Sequence, residues 1–205
     1  VPVPIASRYV ALGGLKSFGG PMTPATCDEL GQCSQRFASA RFDSSASRVI
    51  VTTGWFLNAW ATAGYEKSRL GLPLAEMVCT TVACYQPFAG GTLSGSASNT
   101  VVAVYGAYRD VWMAAGGPTG SLGLPVGGEK CNGSDCSQIF QGGTVVWTPA
   151  HGAVTLSGWF LAPWQAQGSG LGRLGAPTGG MVCTAVTCYQ PFVGGTLTGS
   201  ASGSI

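Results

Sequence analysis

Residues Leu70 to Cys84, LGLPLAEMVCTTVAC, recur 104 residues later as LGAPTGGMVCTAVTC between Leu174 and Cys188. Over the longer windows 70–98 and 174–202 the two copies agree at 21 of 29 positions. Self-similarity at a fixed spacing is the sequence signature of repeat architectures. The sequence therefore predicts that the chain arose by duplication of a block of 104 residues.

A shorter period of 52 residues divides each block in two. It is carried by Pro21, Pro73, Pro125 and Pro177, by Cys27, Cys79, Cys131 and Cys183, and by Trp60, Trp112 and Trp164. We predict four repeats, at residues 1–53, 54–105, 106–157 and 158–205, and call them segments 1 to 4. No charged or Pro/Ser-rich spacer interrupts the period, so we expect a single repeat domain over residues 1–205.

The residues of one segment predict an α+β unit. Phe56, Trp60 and Ala63 form an apolar stripe at helical spacing, which predicts a short helix from residue 54 to Gly64. A turn at residues 70–73, a cysteine loop and a β-hairpin follow, with the hairpin turn near residues 96–99. Such a unit is too small to bury its own apolar face, so neighbouring segments must stabilise one another.

The 205 residues of the chain are only slightly fewer than four full periods of 52, and the chain begins close to the point of the repeat at which it stops. This coincidence predicts a closed, propeller-like ring, in which Val1 to Ile5 lie near Ile205. An open solenoid segment is the alternative.

Charge and composition exclude several classes of partner. Charged residues make up 9% of the chain and the formal net charge is +2, so a nucleic-acid partner is not expected. Polar residues and proline interrupt every long uncharged stretch, so no transmembrane segment is predicted. With 45% apolar residues, the chain can form a folded core.

The eight cysteines occur as four local doublets, which are Cys27/Cys33, Cys79/Cys84, Cys131/Cys136 and Cys183/Cys188. Of about 105 possible pairings, the repeated doublets favour one disulfide within each segment. A zinc site is the alternative, but it needs four converging ligands and each doublet supplies two. Disulfides indicate an oxidising, extracellular compartment, and we expect neither a metal nor a cofactor.

The order of motifs resembles that of the LGFP repeat family of actinobacterial cell-envelope proteins. Segment 3 carries the motifs in family order: Leu122-Gly123-Leu124-Pro125, Glu129, Phe140-Gln141-Gly142-Gly143, Trp147 and His151-Gly152-Ala153. The third position of the first motif is Gly20, Leu72, Leu124 or Ala176 instead of phenylalanine. The resemblance implies a module that holds an attached amidase, esterase or mycolyltransferase on peptidoglycan or arabinogalactan.

Catalysis has little support in the residues, and we do not expect an enzyme. His151 is the only histidine, no serine lies in a G-x-S-x-G motif, and no acidic residue recurs in all four segments. An enzyme whose site the sequence hides is a further possibility.

The candidate ligand-binding residues combine amides with one aromatic side chain. Gln35, Gln86, Gln138 and Gln190 each lie two residues after the second cysteine, and an amide suits neutral sugar hydroxyls. Their alternative role is to tie down the loop backbone.

Trp147 occurs once, aligned with Asp43, Gly95 and Gly199, so packing between segments does not require it. Its aromatic face, beside Glu129, Gln138 and His151, could hold a sugar ring. Trp60, Trp112 and Trp164 are predicted core residues, whereas Trp55 and Trp159 are candidate surface platforms.

These patterns lead to one functional hypothesis and one rival. We expect a secreted, non-catalytic module that binds neutral cell-wall polysaccharide and anchors an attached catalytic domain. The rival is a disulfide-stabilised protein-interaction module, such as a peptidase inhibitor or a toxin's carrier domain.

Overall fold

Short helices and antiparallel sheets alternate along the chain in this computed structural model, which describes residues 1–45, 47–96 and 100–200. The predicted α+β class is therefore confirmed. The turn expected near residues 96–99 and the end of segment 4 at Ile205 lie largely or wholly outside the described residues.

The predicted helix that begins at residue 54 is present, together with helices that were not predicted. The described residues form α1 (Val3–Ala11), α2 (Gly14–Phe18), α3 (Gly54–Ala63), α4 (Gly106–Ala114) and α5 (Leu161–Ala166). Gly54 and Gly106 open α3 and α4 with φ of +56° and +46°, a left-handed conformation that glycine adopts without strain. In α3 the buried residues are Phe56, Leu57 and Trp60. Ala63 is exposed, so the predicted stripe is correct at two of its three positions.

Single-turn 3₁₀ helices accompany the α-helices at Tyr65–Lys67, Gly117–Thr119, Gly158–Phe160 and Ser169–Leu171. The third of them leads directly into α5, and the others follow α3, α4 and α5.

The strands of the described residues form four antiparallel sheets. Segment 1 contains β1 (Thr26–Cys27), β2 (Cys33–Arg36), β3 (Ala40–Ser44) and β4 (Val49–Thr53); segment 2 contains β5 (Val78–Cys79), β6 (Cys84–Pro87), β7 (Gly91–Gly95) and β8 (Val102–Tyr105). Segment 3 contains β9 (Lys130–Asn132), β10 (Asp135–Phe140), β11 (Gly143–Thr148) and β12 (Gly152–Ser157); segment 4 contains β13 (Val182–Cys183), β14 (Thr187–Phe192) and β15 (Gly195–Ser200). Successive strands pair in chain order, so the predicted hairpin is part of a longer meander.

All four predicted disulfides are present, each within its own doublet. In every case the two cysteines are directly opposed in the antiparallel register, as Cys131 and Cys136 are in β9 and β10. The cysteine loops are therefore narrow hairpins whose two strands are covalently joined. Because each sulfur is bonded to another sulfur, the zinc alternative is excluded.

A tryptophan on each of α3, α4 and α5 fastens the helix to the Leu-Gly-x-Pro turn of its segment. The indole N–H groups of Trp60, Trp112 and Trp164 donate to the carbonyl oxygens of Gly71, Gly123 and Gly175 at 3.1, 2.7 and 2.8 Å. All three rings are buried, so the predicted core role is confirmed. In segment 1 a tyrosine makes the equivalent hydrogen bond, in which the Tyr9 hydroxyl donates to the Gly19 carbonyl at 2.7 Å.

The described chain forms two compact units, one of residues 1–79 and 84–101, the other of residues 80–83 and the chain from residue 102 onward. In the first unit α1 covers one face of the first sheet, where Ile5, Phe37 and Phe42 are buried together. In the second unit Val146 and Leu156 of the third sheet pack against Phe160 and Trp164 of segment 4. One face of each of these two sheets is thus covered by a helix from the same or the following segment.

No helix among the described residues is long and apolar enough to span a membrane. The predicted ring, its solenoid alternative and the single domain over residues 1–205 stay predictions.

Candidate functional site

The four repeated glutamines are buried and bond to backbone carbonyls. Gln138 Nε2 donates to the Gly127 and Ala103 carbonyls at 3.0 and 2.9 Å, and Gln190 Nε2 donates to those of Gly179 and Thr155 at 3.0 and 2.9 Å. Gln86 bonds Ala75 O and the Thr52 hydroxyl, and Gln35 bonds Thr23 O.

These contacts favour the second of the two roles considered for the glutamines. Each amide ties the loop that follows the Leu-Gly-x-Pro turn, and those of Gln86, Gln138 and Gln190 also reach the fourth strand of the preceding segment. Their side chains are at most 2% exposed. A ligand at the surface would not reach them, so we remove Gln35, Gln86, Gln138 and Gln190 from the candidate ligand site.

Trp147 lies beside the disulfide of segment 3. In β11 it is directly opposite Cys136 of β10, which in turn faces Cys131 of β9, so the three side chains share one face of the sheet. The indole is half-buried. Gly95 and Gly199 occupy the same register position in segments 2 and 4.

The counterpart in segment 1 is Ser44, not Asp43 as the alignment predicted. The first cysteine loop is one residue longer, so Ser34 pairs with Asp43 and Cys33 faces Ser44, whose hydroxyl accepts the Cys33 N–H at 3.0 Å. The fold therefore accommodates glycine, serine or tryptophan at this position.

Glu129 joins the same face as Trp147. A carboxylate oxygen of Glu129 and the sulfurs of Cys131 and Cys136 lie within 4.8 Å of one another. Three such groups can resemble a metal site, but both sulfurs are used in the disulfide, so this one is not a set of metal ligands.

His151 lies in the exposed turn between β11 and β12, where its backbone N–H donates to Thr148 Oγ1 at 3.1 Å. The structure thus brings Glu129, Trp147 and a disulfide together on one face. It places His151 in the turn at the end of the strand that carries Trp147.

Two further tryptophans are exposed at the starts of their helices. Trp55 is 44% exposed and Trp159, 104 residues later, is 36% exposed. Their exposure is as predicted for surface platforms, and a ligand for them stays a prediction.

A cluster of charged side chains lies in segments 1 and 2, where the sequence did not indicate a site. The Arg41 guanidinium is centred 4.6 Å from the ring centroids of both Trp60 and Tyr65. Its Nε donates to Asp43 Oδ1 at 3.0 Å, and its Nη2 donates to Glu66 Oε2 at 2.8 Å. Two carboxylates therefore share one guanidinium.

Burial raises the pKa of the Asp43 carboxyl from its ordinary value of 3.8 to about 6, against the opposing effect of Arg41. The Glu66 charge adds a smaller increase to this pKa. Asp43 is 7% exposed, and its Oδ2 has no hydrogen-bond partner among the described residues. A buried carboxylate with one oxygen unpaired is costly, so its presence calls for a reason.

This cluster was missed because its members come from different segments. Arg41 and Asp43 alternate with Phe42 along β3, and only the tertiary structure shows that Arg41 lies against Trp60 and Tyr65 of the next segment. The one sequence signal for this cluster was the pattern Arg-x-Asp in a strand. That pattern is too common to indicate a site by itself.

Comparison with known families agrees with the motif order. The sequence model of the LGFP repeat matches residues 70–120 and 122–172, two consecutive copies that cover about half of the chain. The chain belongs to the LGFP repeat family. No curated protein matches it. LGFP repeats are a repeat module of cell-envelope proteins, and the count of four repeats stays a prediction.

The LGFP motif has a clear structural role in this chain. Its second residue, glycine, offers the carbonyl that the helix tryptophan binds, and its proline forms an isolated bridge with a buried phenylalanine. Leu124 and Ala176, which replace the phenylalanine of the motif, are both buried. Gly20 and Leu72, at the same position, are only partly buried. All four departures leave the turn intact, because its glycine carbonyl is hydrogen-bonded in each segment.

Proposed function

We propose that this LGFP-repeat chain is a non-catalytic module that binds neutral glycan of the cell envelope. The observation that supports it most is the face formed by Trp147, Glu129 and the Cys131–Cys136 disulfide. A partly exposed indole can stack on a sugar ring, and a neighbouring carboxylate can accept hydrogen bonds from the sugar hydroxyls. Equivalent sheets carry glycine or serine in place of Trp147, so the ring is not needed for folding.

Other features support a binding module outside the cytoplasm. All eight cysteines are in disulfides, which favours an oxidising compartment and leaves no thiol as a nucleophile. With a formal net charge of +2, the chain suits a ligand without dense charge. In this proposal the chain is secreted and holds an attached catalytic domain at the cell wall.

The direct test is co-sedimentation of the chain with insoluble actinobacterial cell walls. We expect the protein to pellet with walls from which protein has been removed by protease treatment. Binding should change little between about 50 and 500 mM salt, because there is no basic cluster to release counterions. A protein that stays in the supernatant with protease-treated walls would contradict the proposal.

A second candidate function, protein interaction, is favoured by the exposed cysteine hairpins of segments 2 and 4. Their apolar side chains face solvent: Met77, Val78 and Val82 in one hairpin, and Met181, Val182 and Val186 in the other. Apolar residues on a rigid, cross-linked hairpin can dock on a protein partner. In the same experiment this function predicts binding to untreated walls that protease treatment abolishes.

A further inference from the structure

Each of the two units contains a cleft at the same place in its repeat pattern. The first, of about 260 Å³, lies between the Cys27–Cys33 hairpin and Glu66 in the 3₁₀ turn after α3. The second, of about 230 Å³, lies between the Cys131–Cys136 hairpin and Gly170 in the turn after α5. The two clefts can therefore be compared position by position.

The acidic residues of the first cleft are replaced by neutral ones in the second. Asp28 and Glu66 correspond, 104 residues later, to Asn132 and Gly170. Asp43 corresponds to Val146, because each is paired with the serine after the second cysteine of its hairpin. The second cleft has one carboxylate of its own, that of Asp135, together with Lys130, but none at these three positions, so the fold does not require carboxylates there.

The charges of the first cleft do not balance. Three carboxyl side chains, of Asp28, Asp43 and Glu66, line it together with one guanidinium, that of Arg41, which leaves a formal net charge of −2 when all are ionised. Asp43 Oδ1 is bonded to Arg41, but Oδ2 is buried and has no partner among the described residues. Two hydrogen bonds from Leu30 and Gln32 N–H groups already hold Asp28 Oδ1.

One residue beside the cleft has a left-handed backbone conformation that recurs in the second unit. Tyr65, whose ring holds Arg41, has φ of +56°, and its counterpart at the same conformation in the second unit, Ser169, has a much smaller side chain. Gly117 has the same conformation, so it belongs to this turn of the repeat, and what distinguishes the first unit is the bulky side chain placed there. The Tyr65 and Trp60 rings pack edge to face with their centroids 5.2 Å apart, and the guanidinium lies against both of them.

We propose that the first cleft binds a ligand group that carries a primary ammonium ion. An ammonium has three hydrogen-bond donors and no acceptor, so it matches a site that offers carboxylate oxygens. The one cation of the cleft, Arg41, is already held against two aromatic rings. Glu66, at 41% side-chain exposure, is accessible to the ligand, and Asp43 Oδ2 lacks a donor. The hydroxyl groups of Thr26, Ser34 and Ser44 complete the polar lining.

This inference does not depend on the glycan-binding proposal. The Trp147 face is in segment 3 and the first cleft is in segments 1 and 2, so wall sedimentation can fail while ammonium binding holds, and the reverse.

The test is an NMR titration of the full chain with ethanolamine hydrochloride, compared with ethylene glycol and with sodium chloride at equal concentration. Ethanolamine and ethylene glycol differ only in an ammonium in place of a hydroxyl. We expect ethanolamine to shift the amide signals of residues 32–34 and 66 and the Arg41 Nε–H signal, with a dissociation constant in the millimolar range. Equal shifts with ethylene glycol or sodium chloride, or no shifts at all, would overturn the proposal.

Two variants and a matched control make the test specific. Glu66→Gln and Asp43→Asn should each weaken ethanolamine binding at least tenfold, and Glu66→Gln serves even if Asp43→Asn fails to fold, because Glu66 is partly exposed. Asp110→Asn removes a carboxylate whose side chain is 70% exposed and which does not line the cleft, so it should change nothing. If Glu66→Gln binds as tightly as the original chain, the cleft is not the site. Signals of residues 132, 135 and 169 in the second cleft should stay unshifted.

Discussion

Two tryptophans of segment 3 illustrate how the same residue type serves two purposes. Trp112 is fully buried and its indole N–H is bonded to Gly123 O at 2.7 Å. Trp147 is half-buried and lies where two other sheets have glycine. Burial and hydrogen bonding assign the first to the core, whereas the second is free to contact a ligand.

Replacing each of these tryptophans should separate stability from binding. Trp112→Ala should lower the free energy of unfolding by about 3–5 kcal/mol, because it leaves a cavity and an unbonded carbonyl. Trp147→Ala should lose stacking worth about 1 kcal/mol, weaken wall binding, and keep Tm within a few degrees. Thermal melts and wall sedimentation of both variants check this. Equal destabilisation, with wall binding unchanged in Trp147→Ala, would return Trp147 to the core.

Asp43 should make the stability of the chain depend on pH. Its folded-state pKa of about 6 is above the ordinary 3.8. The protonated carboxyl therefore contributes its whole share of the free energy of unfolding below about pH 4, and this share is lost as the pH rises through 6. The loss amounts to about 3 kcal/mol. Asp43→Asn should remove this decline in urea unfolding measured from pH 4 to 7, whereas Asp110→Asn should keep it. An unchanged slope in Asp43→Asn would assign the pH dependence to other groups.

At the scale of elements, side-chain amides hold the meander together. Gln138 reaches from β10 to the loop at Gly127 and to Ala103 in β8, and Gln190 makes the equivalent pair of bonds in segment 4. These bonds connect a sheet to a strand of the preceding segment. Forming these bonds costs little conformational entropy. The disulfide at Cys136, two residues before Gln138, already restricts the hairpin.

Gln138→Met should therefore destabilise the fold without a direct effect on ligand binding. The change keeps the side-chain volume but leaves the partly buried carbonyls of Ala103 and Gly127 with one donor fewer each, at a cost of about 2–3 kcal/mol. Gln167→Met, at an exposed position, is the matched control and should melt as the unmodified chain does. If Gln138→Met retains its Tm and loses wall binding, the amide contacts the glycan after all.

At the scale of the whole molecule, the division into two units follows the 104-residue duplication. The first unit contains most of segments 1 and 2, and the second contains segments 3 and 4. The division crosses a cross-linked hairpin, since Thr80–Ala83 are assigned to the second unit and the flanking Cys79 and Cys84 to the first. Domain boundaries ordinarily lie in exposed linkers, and this one does not.

We therefore expect the chain to unfold in one cooperative transition, as a single domain would. Differential scanning calorimetry should give one peak, with a calorimetric enthalpy close to the van't Hoff enthalpy. Two separated peaks, or a van't Hoff enthalpy near half of the calorimetric value, would show that the units melt independently.

Features encoded locally were predictable from the sequence. The helix of residues 54–63, the Leu-Gly-x-Pro turns and the four disulfides depend on contacts within a few tens of residues, and the 52-residue period displays each of them several times. The LGFP repeat family was recognisable for the same reason.

The sequence by itself determined the repeat, the family, the disulfide pairing and the core tryptophans, because each follows from short-range spacing. Only the tertiary structure decided which polar residues are available to a ligand. It buried the glutamines, moved the counterpart of Trp147 from Asp43 to Ser44, and brought Arg41, Asp43 and Glu66 together. The physical reason is that strand register determines the face on which a side chain lies, and one residue more in a loop changes that face.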